Sequence, residues 1–363
     1  MKLRLGNKRC DEFLIQASKY LQIKFVAGGN TVPSPVEKNS SNARARVAVL
    51  GAGAVGSYFG GMLARSGVNV TLIARAPHVE AIRRNGLFLD TVTFHEHVPV
   101  SASTEVSAAH DADFVLFCVK TLDTEDAARS LAPHLSPGAT VVSLQNGVDN
   151  VARIRAASGI DALPAVVYIA AALPEPGHVK HSGRGELIVG EYFGHAPAAS
   201  TQPPRAERFA ELCATAGVPC RLSANIEADQ WAKMVMNCAG NAVTAIAQTS
   251  FAHAARNLQM REVMRVAIEE SVAVGRASGV QLPEINWVEK GITNAEGLGD
   301  ATSSTAQDIA RGKRTEIDSL NGYIARRGAE LGVPVPVNNA LYALVKFIEE
   351  SNARRGRSAA TSQ

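Results

Sequence analysis

Cysteine is scarce and unpaired in this sequence: Cys10, Cys118, Cys213, Cys220 and Cys238 are odd in number, widely spaced and without a C-x-x-C pair. That pattern argues against a disulfide framework or a zinc site, so no metal is expected and a reducing, cytoplasmic setting is the simpler reading. Long apolar runs are missing as well. No stretch reaches the roughly eighteen residues that a membrane helix needs, and the basic N-terminal stretch meets only the short Phe13-Leu14-Ile15 run, so neither a membrane span nor a secretion signal is expected. A strong charge of one sign is also lacking. The net charge is +3, and residues 1–46 hold nine Lys or Arg against three acids, which is +6 and leaves the remainder at 3 − 6 = −3. A slightly acidic body gives no reason to expect a nucleic-acid surface.

What is present is an ordinary globular composition, 46% hydrophobic and 20% charged over 363 residues, long enough that two domains are the natural expectation. Residues 27–45 are rich in Gly, Pro, Ser and Asn, so residues 1–45 are expected to form a disordered tail. The folded part opens on Val47 to Gly61, VAVLGAGAVGSYFGG, an apolar strand that runs into a glycine turn and a small-residue helix. Gly51, Gly53 and Gly56 have G-x-G-x-x-G spacing. In such a turn one glycine makes the bend, one lets backbone approach a pyrophosphate and one lets helix and strand pack closely. The pyrophosphate would rest on the unpaired N–H groups at the helix start, so Ala54 and Val55 join the three glycines as cofactor-binding positions.

The second strand, Val68 to Ile73, ends at Arg75 with no acid before Glu80. An acid there would hold the ribose 2′-hydroxyl of NAD, whereas an arginine suits the 2′-phosphate of NADP. The plain alternative is an exposed loop arginine. Gly86 to Asp90 and Val98 to Val100 read as a short hairpin-like excursion. The run Asp113 to Val119 fits a doubly buried parallel strand that delivers Lys120 to its carboxyl edge, where ligands collect. Thr140 to Leu144 does the same for Gln145-Asn146-Gly147, for which the plain alternative is a turn. Strands at Pro164 to Ala172 and His178 to Val189, a helix at Pro204 to Ala216 and a strand at Cys220 to Leu222 close this part. His178 and His181 share a strand, without a third metal ligand nearby.

From Ala224 helical periodicity takes over, with helices expected at Glu227–Ala247, Arg256–Gly275, Glu284–Asn294, Ser303–Arg311, Glu316–Leu331 and Asn338–Ser351. The fold class is therefore α/β, an N-terminal Rossmann-type parallel sheet domain (46–223) followed by an all-α C-terminal domain (224–352), with a further disordered tail at 353–363. Lys233, Asn237 and Asn241 recur every four residues, a drift of about 40° per step, and line one face of the first of these helices. The stripe lies among Met, Val, Cys and Ala, so it faces solvent or lines a site. A desolvated lysine has a lowered pKa and can give up a proton near neutrality. Farther on, Ser303 or Ser304 can cap a helix, and Glu316 and Asp318 stand near another helix start, where capping is the plain role.

These motifs together resemble those of the ketopantoate reductases, or 2-dehydropantoate 2-reductases: GAGAVG at Gly51 to Gly56, Lys120 after a buried strand, Gln145-Asn146-Gly147, K-x-x-x-N-x-x-x-N at Lys233 to Asn241, and S-S-x-x-Q-D with R-T-E-I-D at Ser303 to Asp318. The resemblance covers roughly Arg46 to Ser351. It implies NADPH-dependent reduction of 2-dehydropantoate to pantoate, a step toward pantothenate and coenzyme A. By the same resemblance Lys233 is the general acid, Glu316 binds substrate, and Asn237, Asn241 and Ser304 hold the substrate's hydroxyl and carboxylate. Arg75, Lys120 and Asn146 match positions that bind NADP. Some members carry a substrate-binding Asn three residues before the matching serine; this chain has Ala301 there, beside the acidic Asp300. The other readings are a related NADP-dependent reductase of another 2-keto acid and a non-catalytic NADPH sensor, the latter disfavoured because Lys233 and Glu316 are both kept. The expected partner is a small 2-keto acid; a homodimer is compatible with the sequence.

Overall fold

The computed structural model describes residues 45–192 and 204–361, with side chains through 355. The expected N-terminal tail lies outside these residues, except for Ala45.

The described chain begins as alternating strand and helix. β1 (Arg46–Leu50), α1 (Ala54–Arg65), β2 (Asn69–Ile73), α2 (Ala76–Asn85), β3 (Leu87–Asp90), β4 (His95–Val98) and β5 (Ser101–Ser103) come first. β6 (Phe114–Phe117), α3 (Thr124–Leu131), β7 (Thr140–Ser143), α4 (Asn150–Ser158), β8 (Leu163–Glu175), β9 (His178–Val189), α5 (Arg205–Thr215) and β10 (Cys220–Leu222) follow. All ten strands form one sheet in the order β4-β3-β9-β8-β7-β6-β1-β2-β5, with β10 on β9. From β5 to β8 every pairing is parallel, which is the Rossmann order expected. Beyond β8 the sheet becomes mixed. β9 returns antiparallel as a long hairpin, β3 joins it in parallel, and β4 closes the edge antiparallel to β3.

Burial explains why the parallel strands read as unbroken apolar runs. Phe114 to Phe117 and Thr140 to Ser143 are buried at every position. Alternate residues feed two cores: Val47, Val49, Leu72 and Leu116 face one layer, and Ala48, Leu50, Val115 and Phe117 the other. One expectation shifts here. The hairpin expected of Gly86 to Asp90 and Val98 to Val100 forms between β3 and β4, but its second strand is His95–Val98, and Ser101–Ser103, not expected as a strand, pairs with β2. Ser-Ala-Ser has no apolar pattern to announce it.

After Leu222 the described residues contain no strand. α6 (Ile226–Ala247), α7 (Phe251–Arg256), α8 (Leu258–Ala277), α9 (Trp287–Gly297), α10 (Ser304–Ala310), α11 (Asn321–Leu331) and α12 (Pro336–Thr361) surround a third core built on Trp231, Val235, Ile268, Ile292 and Ile324. The helix expected from Arg256 to Gly275 is α8, which starts at Leu258 because the Asn257 side chain caps it; the short α7 ahead of it, capped by Ser250, was not expected. α12 runs ten residues past Ser351, through most of the stretch expected as a tail; its Ala and Arg residues favour helix.

Candidate active site

The glycine turn has the three properties its spacing predicts. Gly51 is left-handed at φ +86°, and its N–H and that of Ala52 both donate to the Ile73 carbonyl at the end of β2 (3.1 and 2.9 Å). A Cβ on Gly56 would lie 2.8 Å from the Gly51 carbonyl oxygen and 2.8 Å from Val49, so helix and strand touch there. Gly53 is exposed, and a Cβ on it would meet nothing nearer than 3.9 Å. That is the open approach a pyrophosphate needs. Gly53 is also the N-cap of α1 and has no side chain to cap it, so the N–H groups of Ala54, Val55 and Gly56 are free for an anion.

Arg75 precedes α2 and is exposed at the carboxyl end of β2. Its helix is tied to the glycine turn by a contact that sequence gave no sign of. His78 Nδ1 accepts from the Gly177 N–H (2.9 Å), which places the ring proton on Nε2; that nitrogen is 3.1 Å from Ser57 Oγ, and Ser57 donates to the Ala52 carbonyl (3.0 Å). Burial lowers the His78 pKa, so the neutral ring this arrangement requires is also the favoured one.

The loops after β6 and β7 carry the next groups. Asn146 is held from below: Asn150 Nδ2 donates to its carbonyl at 2.7 Å, and the buried Gln145 bonds the Val119 carbonyl and Thr124. From α6, Lys233 Nζ donates to Asn146 Oδ1 (2.6 Å) and to the Val167 carbonyl on β8 (2.5 Å). From ahead of α11, Glu316 Oε2 accepts from Asn146 Nδ2 (3.1 Å), while Oε1 accepts from the Thr121 N–H and hydroxyl (3.0 and 2.9 Å). One side-chain amide thus joins the lysine to the carboxylate. The helix expected at Glu316 begins only at Asn321, after a 3₁₀ turn at Ile317–Ser319; the Glu316 carboxylate is engaged by Thr121 and Asn146 and caps nothing.

Lys233 is only partly buried by accessible surface, but its ammonium is turned into protein. Burial lowers its pKa to about 8; Glu316 opposes this and Arg184 adds to it. A lysine so placed is protonated near neutrality yet gives up its proton readily. The rate of a reduction that draws on this proton is therefore expected to fall as pH rises through about 8, a limb that a pH–rate profile reads directly.

Asn237 and Asn241 continue the stripe toward the end of α6, half-buried and buried. The Asn241 carbonyl accepts from Ser303 Oγ at 3.2 Å, and Ser303 also caps α10 by accepting from the Ala306 N–H. Ser304 is the exposed first residue of α10. The structure therefore brings Lys233, Asn146 and Glu316 into direct contact and links Ser304 to the stripe through Ser303. Lys120 does not join them. Its Nζ pairs instead with Asp308 of α10 at 2.7 Å. Asp318 bonds Tyr342 and Lys346 instead. Ala301 and Asp300 are both exposed, and the Ala301 carbonyl accepts from the Phe251 N–H. His178 and His181 have separate surroundings, His178 beside Asp90 and His181 stacked on Tyr58, and no metal-binding group occurs among the described residues. Thr121 and Val167 are contacts of the site that sequence could not find, since neither residue type signals a role.

Residues 47–194 match the family model described as "Ketopantoate reductase PanE/ApbA", and residues 225–349 match its C-terminal counterpart. A 2-dehydropantoate 2-reductase of Archaeoglobus fulgidus is 35% identical over 304 residues, 84% of this chain and 98% of that protein. The crystal structure of a PanE/ApbA family ketopantoate reductase from Ralstonia eutropha JMP134 is 48% identical, with a TM-score of 0.77 over 85% of this chain and 99% of the other. The ternary structure of a D-mandelate dehydrogenase with NADH and anilino(oxo)acetate is 25% identical, with a TM-score of 0.77 over 85% and 99%.

Proposed function

Because the chain belongs to the ketopantoate reductase family, we propose that it reduces the C2 carbonyl of 2-dehydropantoate to give pantoate, using NADPH in preference to NADH. The family and the NADH-bound relative indicate a nicotinamide cofactor, and the open Gly53, the free N–H groups of α1 and the exposed Arg75 suit its pyrophosphate and a 2′-phosphate. Bound there, the cofactor supplies the hydride. Lys233 protonates the carbonyl oxygen and stabilises the charge growing on it, Glu316 orients the substrate hydroxyl, and Asn237, Asn241 and Ser304 hold the rest of the acid. Lys120 must give up or share Asp308 if it is also to serve the cofactor. The observation that carries this reading is the Lys233–Asn146–Glu316 chain, which sets a proton donor and an acceptor of hydroxyl groups side by side. We extend the reading to a cytoplasmic enzyme and, at most, a homodimer, which sedimentation velocity would accept or reject.

The test is oxidation of NADPH with a panel of 2-keto acids. Preference for 2-dehydropantoate supports the reading, and preference for an aryl 2-keto acid would move it toward the second reading, which the D-mandelate dehydrogenase likeness favours. Arg75→Ala is expected to weaken NADPH about tenfold or more while sparing NADH, the loss of one charge-assisted contact to phosphate. Equal loss for both cofactors, in paired titrations, would remove the argument for NADP.

A further inference from the structure

Lys233 shares its surroundings with a second cation. Its Nζ donates to the carbonyl of Val167 and lies 5.6 Å from the centre of the next residue's ring, Tyr168. Over that same ring, 4.1 Å from its centre, sits the guanidinium of Arg184. The sheet goes to some length to put it there. Along the β8–β9 hairpin Tyr168 faces Glu186 and Ile169 faces Arg184, so Gly185 is an extra residue and the pair is bulged. Arg184 itself is left-handed at φ +60°, between Gly183 at +153° and Gly185 at +127°. Its carbonyl is pinned by His181 Nε2 at 2.6 Å, and the His181 ring stacks on Tyr58 of α1.

A salt bridge does not account for this. Arg184 bonds Glu186 twice, at 2.8 and 2.6 Å, but both side chains are well exposed, 43% and 37%, and such pairs return little. A left-handed conformation in a residue with a Cβ costs more than that, and such strain gathers where a site needs a side chain aimed. Here the bulge turns the arginine toward the ring beneath which Lys233 is anchored.

We propose that Arg184 is a positioning residue for Lys233, a fixed like charge that keeps the lysine ready to release its proton. This rests on Lys233 being the proton donor of the reaction proposed above. The charged and titratable groups around the lysine are Glu316 from ahead of α11, Arg184 and Glu186 from β9, Tyr168 from β8, and Asp229 of its own helix, which faces Tyr168 and Arg221. Glu316 favours the protonated lysine and Arg184 disfavours it, so the two tune one group in opposite directions.

Competitive labelling of the full chain with acetic anhydride across pH, read by peptide mass spectrometry, titrates Lys233 without substrate. In Arg184→Gln the midpoint is expected to rise by at least about half a pH unit, and the basic limb of the kcat profile to move with it. Arg184→Lys should restore the wild-type midpoint, and Glu186→Gln, which frees the arginine's charge, should lower it. An unchanged or lowered midpoint in Arg184→Gln overturns the proposal. If that variant does not fold, Glu186→Gln decides: a midpoint that stays put or rises is equally fatal. A labelling midpoint that shifts while the kcat limb stays fixed would keep the electrostatic coupling of Arg184 to Lys233 but remove Lys233 from the proposed reaction, and the positioning role with it.

Discussion

Lys233→Ala is expected to lower kcat for the reduction by roughly 10² to 10⁴-fold, the usual worth of a positioned general acid, while NADPH binds with nearly unchanged affinity. The structure explains why the two should separate. The ammonium touches Asn146 and the Val167 carbonyl, whereas the glycine turn and α1 are held by their own contacts to β2 and His78. Wild-type turnover in this variant would refute the assignment. Lys233→Met tests the same lysine through stability. Its pKa in the fold, about 8, is below the value of about 10.4 in an unfolded chain, so the fold disfavours the charged form. That penalty is fully present below pH 8 and fades as pH rises toward about 10.4. Wild-type stability relative to Lys233→Met should therefore increase over this window in denaturant titrations; a flat difference would mean an ordinary, solvated lysine.

The second large effect belongs to the glycine turn. Gly51→Ala places a Cβ 2.7 Å from the Val119 nitrogen and 2.8 Å from its Cα, and asks alanine to hold φ +86°. The conformation costs about 1–2 kcal/mol and the overpacking against backbone about 1–3 kcal/mol, together a large part of a typical domain's stability. The variant should melt well below wild type and lose measurable NADPH binding, because Val119 leads directly into Lys120 and Thr121. Gly53→Ala is its counterpart. At φ −76° and with open space around the new Cβ, it should melt within about 2 °C of wild type, since nothing is overpacked, yet bind NADPH at least about tenfold more weakly. Normal NADPH affinity in a fully folded Gly53→Ala would mean that no pyrophosphate crosses this turn.

These contrasts also show what could be read in the residues. The turn was legible because each glycine answers a local demand, and the Lys233 stripe because helical spacing puts its residues on one face. The partners of Glu316 were not. Thr121 and Asn146 lie 195 and 170 residues away, and only the folded sheet brings the β6 and β7 loops under the helical part. β5 escaped notice because three small residues carry no periodicity, and α7 because six residues are too few to show a helical period, its start being marked only by the Ser250 side chain that accepts from the His253 N–H. Arg184 was invisible for a related reason: its role comes from a bulge, and a bulge is a property of two strands.

Asn146 has a consequence of a different kind. A side-chain amide has unlike ends: the lysine can only donate and so must meet Oδ1, and the carboxylate can only accept and so must meet Nδ2. Lys233 and Glu316 cannot exchange places. On the reading proposed above, a planar 2-keto acid held by this pair would meet a cation on one side and an anion on the other. Its two faces are mirror images, and this fixed order presents one of them. The alcohol formed should be of a single hand, which chiral chromatography of the product can establish, and a racemic product would mean that the amide does not orient the substrate.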